Sequence, residues 1–335
     1  MVKKTGSPHF SILLPTHNRE DVVGFSIESV LAQTFKDFEL LIVGDGCTDS
    51  TERIVRDFSK KDRRIQWFAF PKGPGFGYEH RNTILAKATG DYIAFAAHDN
   101  LWFPDHLELF ANFFRKNPDY KIAYTRPLWM HPDGTLIPSS FNLGNEKSRK
   151  VFFESHNEIP AHCVVHTRVS GVQVGFYNPA VSEAGDWDLW RRILETDVDR
   201  KIGFINTPSA VHFRASWRTE KNYMNGILYT AHARINSSNE FSRKLRVKKR
   251  QGWPLQKSLW EVFSKSENWP GEIRQSLAAF LDLQVHEDIE LISDVERLKR
   301  ENEALRNHIQ IMERTRGYRA LQFVRKLARP FRKIN

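Results

Sequence analysis

Apolar and polar residues alternate in a regular order along the first 125 residues. Apolar, β-rich runs predict four strands, at residues 10–14, 38–43, 65–70 and 92–96. Between them, apolar residues at helical spacing predict helices at residues 21–33, after Ser50 and at residues 78–88. Strands and helices that alternate with short connections predict a mainly parallel sheet covered on both faces.

The chain becomes less regular after this segment. Residues 124–218 contain many Pro, Gly and His residues, and we expect them to complete one α/β domain over residues 1–218. Residues 219–275 are predicted to form a mainly helical extension.

Residues 276–314 carry a heptad pattern. An Asn at an a position and complementary charges at e and g favour a parallel coiled coil, either dimer or trimer, over a single helix packed on its own domain. The seam positions are Leu291, Val295, Leu298, Asn302, Leu305, Ile309 and Met312.

The positive charge is concentrated in two short segments. The net charge is +10, yet residues 314–335 hold eight basic side chains and residues 241–250 hold six, so the remainder is mildly acidic. This distribution argues against a domain that wraps nucleic acid over a broad surface, and we expect no nucleic-acid partner. Residues 315–335 segregate apolar from basic side chains, which favours an amphipathic helix on an anionic membrane over a solvated end or a nucleic-acid contact.

Cysteine content and hydropathy indicate the compartment. Two cysteines, Cys47 and Cys163, fit a reducing environment, and the sequence has no apolar stretch long enough for a membrane span or a secretory signal. With the basic end, this predicts a cytoplasmic protein that is peripheral at the inner face of the cell membrane.

Acidic or polar residues cluster after the predicted strands, where parallel sheets bind their ligands. Asp45 follows the second strand and Asp99 the fourth, and Asp186 lies in a later acidic cluster. Carboxylates at such an edge suit a hard divalent cation that bridges substrate phosphates.

In this order, the motifs resemble the family-2 glycosyltransferases of the GT-A fold, over roughly residues 8–215. Residues 11–19 (SILLPTHNR) are similar to that family's first strand and loop. Residues 42–51 (IVGDGCTDST) resemble its nucleotide signature, and Arg81-Asn82 ahead of residues 88–93 (ATGDYI) resembles its Arg-Asn stretch. Residues 97–104 stand where its metal-binding Asp-x-Asp lies, and residues 185–190 where its Glu-Asp base motif lies.

The resemblance implies direct displacement with inversion, with Asp186 as general base and Glu183 or Asp188 as the fallback. It implies a Mn²⁺ or Mg²⁺ ion held by Asp99, with His212 as a further candidate ligand. The implied nucleotide-binding residues are Pro15, Thr16, Asn18, Arg19, Asp45, Arg81 and His98.

Three positions depart from the family's pattern. Gly44, Ala97 and Gly185 each stand where the family has a carboxylate. We therefore expect weaker metal affinity, with His98, Asn100 or His212 compensating.

The expected function is metal-assisted transfer of a sugar from a nucleoside-diphosphate sugar to a lipid-linked or growing cell-surface glycan. The expected organisation is a homo-oligomer through residues 276–314. The alternatives are a catalytically eroded sugar-nucleotide or glycan-binding scaffold and, less well supported, a nucleotidyltransferase. A nucleotidyltransferase is less well supported because this sequence has no Gly-rich, Lys-bearing phosphate loop after the first strand.

Overall fold

The computed structural model describes residues 9–213 and 226–314. The chain divides into two compact units, Met1–Ala278 and Ala279–Asn335. The basic segment at residues 315–335 lies outside the described residues, so its predicted helix stays a prediction.

A nine-stranded sheet forms the centre of the first unit. Its order is β3-β2-β1-β4-β8-β6-β9-β5, and β7 pairs with β6. The strands are β1 (Phe10–Thr16), β2 (Phe38–Asp45), β3 (Ile65–Phe70), β4 (Tyr92–Phe95), β5 (Leu101–Trp102), β6 (Ile122–Met130), β7 (Leu136–Pro138), β8 (Val164–Thr167) and β9 (Gly203–Phe213).

The four predicted strands are confirmed as β1 to β4, and they pair in parallel. The predicted helices between them are α1 (Val23–Leu31), α2 (Thr51–Ser59) and α3 (Tyr78–Leu85). β1 and β2 are buried along almost their whole length because helices or loops cover both faces of the sheet. This arrangement brings the carboxyl ends of β1, β2 and β4 to one edge.

The prediction of a mainly parallel sheet is wrong for the second half of the domain. β8 is antiparallel to both β4 and β6, and β5 and β7 also pair antiparallel. Four of the eight pairings in the described sheet are therefore antiparallel, and the sheet is mixed. The apolar pattern of a strand does not encode its direction, which here depends on pairing between distant segments.

Eight further helices and one short 3₁₀ helix complete the described chain. These are α4 (His106–Lys116), α5 (Glu146–Glu154), the 3₁₀ helix Ala161–Cys163, α6 (Arg168–Val174), α7 (Gly185–Glu195), α8 (Gly226–Ser237), α9 (Asn239–Lys244), α10 (Leu255–Lys265) and α11 (Trp269–Arg314).

α11 runs through all the predicted heptad positions as one helix of 46 residues. At two seam positions, Leu298 and Leu305, more than half of the side-chain surface is exposed in the single chain. Among the described residues, no helix is both long and apolar enough to cross a bilayer.

Candidate active site

A cavity of about 830 Å³ opens at the carboxyl ends of β1, β2 and β4. Eight of the residues proposed from sequence line it together, although they come from five separate segments of the chain. They are Pro15, Thr16, Asn18, Arg19, Asp45, Arg81, His98 and Asp186. Sequence reasoning missed other lining residues, among them Lys72 and Tyr177, because neither lies in a motif.

Asp45 is the last residue of β2 and lines this cavity. Its carboxylate has two partners, a half-exposed lysine and a backbone amide. Its Oδ2 forms an ion pair with the Lys72 ammonium, and its Oδ1 accepts a hydrogen bond from the Gly73 amide at 2.6 Å. The Asp45 side chain is 10% exposed, whereas that of Lys72 is 47% exposed. The carboxylate is therefore fixed by the backbone, while its charge partner can move into solvent.

The loops that follow β1 and β2 hold each other in place. Asn18, whose φ is +47°, accepts a hydrogen bond from the Thr48 amide at 2.8 Å. Glu20 accepts from the Ser50 amide at 2.8 Å, and the Glu20 amide donates to Asp49 at 3.1 Å. Asparagine tolerates this left-handed backbone conformation better than most residues. The two loops thus form one rigid side of the cavity.

Asp186 lies in the first turn of α7 and binds a tyrosine. The Tyr177 hydroxyl donates to its Oδ1 at 2.6 Å. Burial, reinforced by the Asp186 charge, raises the pKa of Tyr177 well above its usual value, so this hydroxyl keeps its proton and remains a donor. Asn82 fixes Tyr177 in turn, because its side chain accepts from the Tyr177 amide at 3.0 Å and donates to the Tyr177 carbonyl at 2.7 Å.

Arg81 is a partly buried cation beside this pair. Its guanidinium carbon lies 5.1 Å from the ring centroid of Tyr78 and 5.4 Å from that of Tyr177. Burial opposes the charge, but Tyr177 and Asp186 outweigh burial and raise the pKa of Arg81, which keeps it protonated. The Arg81 Nε is buried without a hydrogen-bond partner among the described residues. Arg81 can therefore act on Asp186 as well as on a bound anion.

Aromatic rings explain two of the departures from the family's pattern. A Cβ at Gly185 would lie 2.4 Å from the ring of Tyr78, whose hydroxyl accepts from the Gly185 amide at 2.9 Å. A Cβ at Gly44 would lie 2.1 Å from the indole of Trp67. The space that a side chain would need is occupied in both places, so these glycines are required by packing.

Asp188, a fallback base, is engaged elsewhere. Its Oδ2 accepts from Arg192 Nε at 2.8 Å, one turn further along α7. This ion pair leaves Asp186 as the α7 carboxylate that lines the cavity.

The proposed metal ligands do not line the cavity. The Asp99 Oδ2 lies 3.7 Å from Arg19 Nη1 and 3.9 Å from His98 Nε2. His212 stacks on His162 with ring centroids 5.3 Å apart, and its Nδ1 lies 3.4 Å from the Asn100 amide nitrogen.

The donor set near Asp99 is small. Burial lowers the pKa of His98, which leaves a neutral imidazole able to donate electron density. Within residues 9–213 and 226–314, no group of three metal-ligating side chains gathers at Asp99. A single carboxylate fits a divalent cation that takes most of its ligands from substrate phosphates, as Mg²⁺ commonly does.

Comparison with known proteins agrees with this arrangement. Residues 11–169 match the family model described as Glycosyl transferase family 2. An uncharacterized glycosyltransferase of Rickettsia bellii is 40% identical over 136 residues, which are 40% of this chain and 19% of the relative. Escherichia coli chondroitin synthase is 28% identical over 208 residues, which are 61% of this chain and 29% of that enzyme. The chain thus spans less than a third of the length of either relative.

The fold is shared with a solved structure. The crystal structure of S. aureus TarS 1–349 in complex with UDP-GlcNAc superposes with a TM-score of 0.52 at 17% identity, covering 81% of this chain and 71% of that one. The fold of the chain is therefore GT-A-like, and residues 11–169 are similar to the family-2 glycosyltransferases.

Proposed function

We propose that the protein transfers a sugar, with inversion, from a nucleoside-diphosphate sugar to a hydroxyl of a lipid-linked or growing cell-surface glycan. The observation that carries this proposal is the shared cavity, because Asp45, Arg81 and Asp186 all line it. A transferase of this kind needs a donor-binding carboxylate, cationic groups for the diphosphate and a base for the acceptor within one site.

Asp45 is proposed to bind the nucleotide. Its Oδ1 is fixed by the Gly73 amide and its Oδ2 is paired with the half-exposed Lys72. A donor nucleotide can replace the lysine with an N–H of its base, and the freed ammonium can then move into solvent. Pro15, Thr16, Asn18, Arg19 and His98 surround the same space and complete the proposed nucleotide site.

Asp186 is proposed to take the proton from the acceptor hydroxyl. The hydroxyl oxygen attacks the anomeric carbon, the bond from that carbon to the phosphate oxygen breaks, and its electron pair leaves with the nucleoside diphosphate. Tyr177 donates to Oδ1 at 2.6 Å and so orients the carboxylate, which leaves the second oxygen for the proton.

The leaving diphosphate gains negative charge that the site has to stabilise. Arg19 and Arg81 line the cavity and supply fixed cationic groups for this purpose. Asp99 lies beside the lining residues Arg19 and His98, and a Mn²⁺ or Mg²⁺ ion held there would supply further charge neutralisation. His212, whose ring stacks on His162, keeps the role of a candidate ligand only.

The acceptor, the oligomer and the membrane contact are proposed from the sequence and from the exposed side chains of α11. The similarity to chondroitin synthase supports a glycan acceptor. The exposed Leu298 and Leu305 of α11 fit a heptad seam that pairs with a second or third copy of this chain. The basic segment at residues 315–335, outside the described residues, would bring the enzyme to an anionic membrane surface. Deleting it should reduce pelleting with anionic vesicles and leave hydrolysis of the nucleotide sugar unchanged.

A catalytically eroded scaffold remains the second candidate, since Gly44, Ala97 and Gly185 replace carboxylates of the family's pattern. The scaffold binds a sugar nucleotide or a glycan without converting it, so turnover separates the two candidates.

The test is a thermal-shift panel with UDP, GDP, CDP and dTDP, each with and without Mn²⁺, followed by donor hydrolysis with the nucleotide that binds. The wild type is compared with Asp45→Asn, Asp99→Ala and Asp186→Asn. We expect one nucleotide to raise the melting temperature by mass action, Asp45→Asn to lose that shift, and Asp186→Asn to keep it while losing turnover. A metal-dependent shift that Asp99→Ala loses would support Asp99 as ligand. Binding without turnover in the wild type would favour the scaffold, and release of pyrophosphate would indicate a nucleotidyltransferase.

A further inference from the structure

Two histidines and an aspartate meet away from the cavity, at the turn between β6 and β7. His131 and Asp133 belong to this turn, and His232 lies on α8, 99 residues further along the chain. The Asp133 carboxylate contacts both imidazoles, with His131 Nδ1 at 2.8 Å from Oδ1 and His232 Nε2 at 3.0 Å from Oδ2. The ligand atoms of this His131 cluster all lie within 4.8 Å of one another.

Hydrogen bonds within the turn fix the positions of His131 and Asp133. The Gly134 amide donates to the His131 carbonyl, and the His131 amide donates to the Thr135 carbonyl, each at 2.8 Å. The Asp133 Oδ1 accepts from the Thr135 amide at 2.9 Å. The turn thus fixes the position of the Asp133 carboxylate before any ligand arrives.

The donor set has a chemical preference. Two imidazole nitrogens and one carboxylate oxygen are ligands that Zn²⁺, Co²⁺ or Ni²⁺ binds well, whereas Mg²⁺ prefers an all-oxygen set. The side chains are 16% to 35% exposed, so an ion can enter from solvent and a fourth coordination position stays open to water.

Three neighbouring groups compete with a metal, one of which is the Asp133 amide that donates to His131 Nδ1 at 3.3 Å. Arg246 Nη2 lies 3.5 Å from Asp133 Oδ2, and Asn236 Nδ2 lies 2.9 Å from His232 Nε2. Arg246 is 42% exposed and can swing away, and the Asn236 amide can rotate to release the imidazole. Metal affinity is therefore reduced by the need to displace these groups, and we expect it to be moderate.

We propose that the His131 cluster binds one transition-metal ion of the Zn²⁺ class and thereby joins the β6–β7 turn to α8. The same turn also contacts the basic segment at residues 241–250, where the Val247 amide donates to the Gly134 carbonyl at 2.8 Å. Metal binding would fix α8 to the β6–β7 turn, beside the basic segment at residues 241–250. The proposal does not depend on the proposed transferase activity, because its ligands lie outside the cavity.

The experiment uses the full-length protein after treatment with EDTA and titrates it with Co²⁺. The expected result is one equivalent of Co²⁺ with the visible absorption of a site of low coordination number, displaced by Zn²⁺, and a raised melting temperature. His131→Asn and His232→Asn should each weaken Co²⁺ binding by about 100-fold, since losing even an outer-shell partner costs about 10–100-fold. Asp133→Asn, which can still accept from the Thr135 amide, is the third variant.

Asp99→Ala is the control, because it removes the carboxylate proposed for the donor site and leaves the His131 cluster intact. It should retain the Co²⁺ absorption, and the melting temperatures of all variants in EDTA show whether each one folds. Absence of stoichiometric binding, binding that survives in all three cluster variants, or binding lost in Asp99→Ala would each overturn the proposal.

Discussion

The two carboxylates that face the cavity, Asp45 and Asp186, are held in contrasting ways. Asp45 is paired with Lys72, which is 47% exposed, whereas Asp186 is bound by Tyr177, which is almost fully buried and itself fixed by Asn82. The first carboxylate can exchange its charged partner for a ligand. The second cannot, because its partner has no room to move.

This difference suits a binding role for Asp45 and a catalytic role for Asp186. A binding group benefits from a partner that leaves at low cost, since the ligand then satisfies the carboxylate in its place. A general base benefits from a fixed orientation, because proton transfer depends on reach and alignment. Substitutions should therefore affect donor affinity on the Asp45 side and turnover on the Asp186 side.

The largest effect is expected from Asp186→Asn. Loss of the base should lower kcat by about 10²–10⁴-fold with donor affinity unchanged, as measured by sugar transfer and by nucleotide titration. Asp188→Asn is the matched control, because Asp188 lies two residues after Asp186 on the same helix and is paired with Arg192. A greater loss in the control would move the base to Asp188.

Asp45→Asn should act on binding instead. A hydrogen bond to a charged group contributes about 1.5–3 kcal/mol, so donor Kd should rise about 10–100-fold while kcat changes little. Calorimetric titration with the nucleotide measures this, with the exposed Asp57→Asn on α2 as control. An Asp45→Asn protein with normal donor affinity but low kcat would break the contrast between the two carboxylates.

Tyr177→Phe removes the hydroxyl that orients Asp186 and keeps the stacked ring. We expect kcat to fall by about tenfold, the equivalent of one hydrogen bond to a carboxylate, with the donor KM unchanged. Tyr78→Phe is the comparison, because that ring stacks on Tyr177 at 4.9 Å but its hydroxyl binds Gly185. Equal losses in the two variants would indicate a general packing effect.

Lys72→Met should have the smallest effect. A half-exposed ion pair contributes about 0.2–1 kcal/mol, so donor affinity should change by at most about fivefold, and less at high salt. Nucleotide titration at two ionic strengths measures this. A change as large as that of Asp45→Asn would mean that the lysine is a fixed part of the site.

The sequence was most informative where its pattern is local. Strands β1 to β4 and the helices between them follow from apolar spacing, and the strand-end residues Asn18, Asp45 and His98 do line one cavity. The direction of β8 was not accessible, because its pairing with β4 joins segments about 70 residues apart.

The sequence was least informative where a role depends on a distant partner. Tyr177 belongs to no motif, and only the fold shows that its hydroxyl meets Asp186. The His131 cluster was also missed, since its third member lies 99 residues from Asp133 and the spacing is not that of any metal signature. Such contacts come from tertiary packing, which periodicity does not describe.

The rings opposite Gly44 and Gly185 constrain how this chain could change over generations. A single substitution that introduces a carboxylate at either position would meet Trp67 or Tyr78, and overpacking of that kind costs about 1–3 kcal/mol. A smaller side chain would have to replace the ring. This replacement would come either beforehand, which leaves a void, or in the same step. Each glycine and its ring therefore form a coupled pair, and a route that changes one of them at a time crosses a less stable intermediate protein.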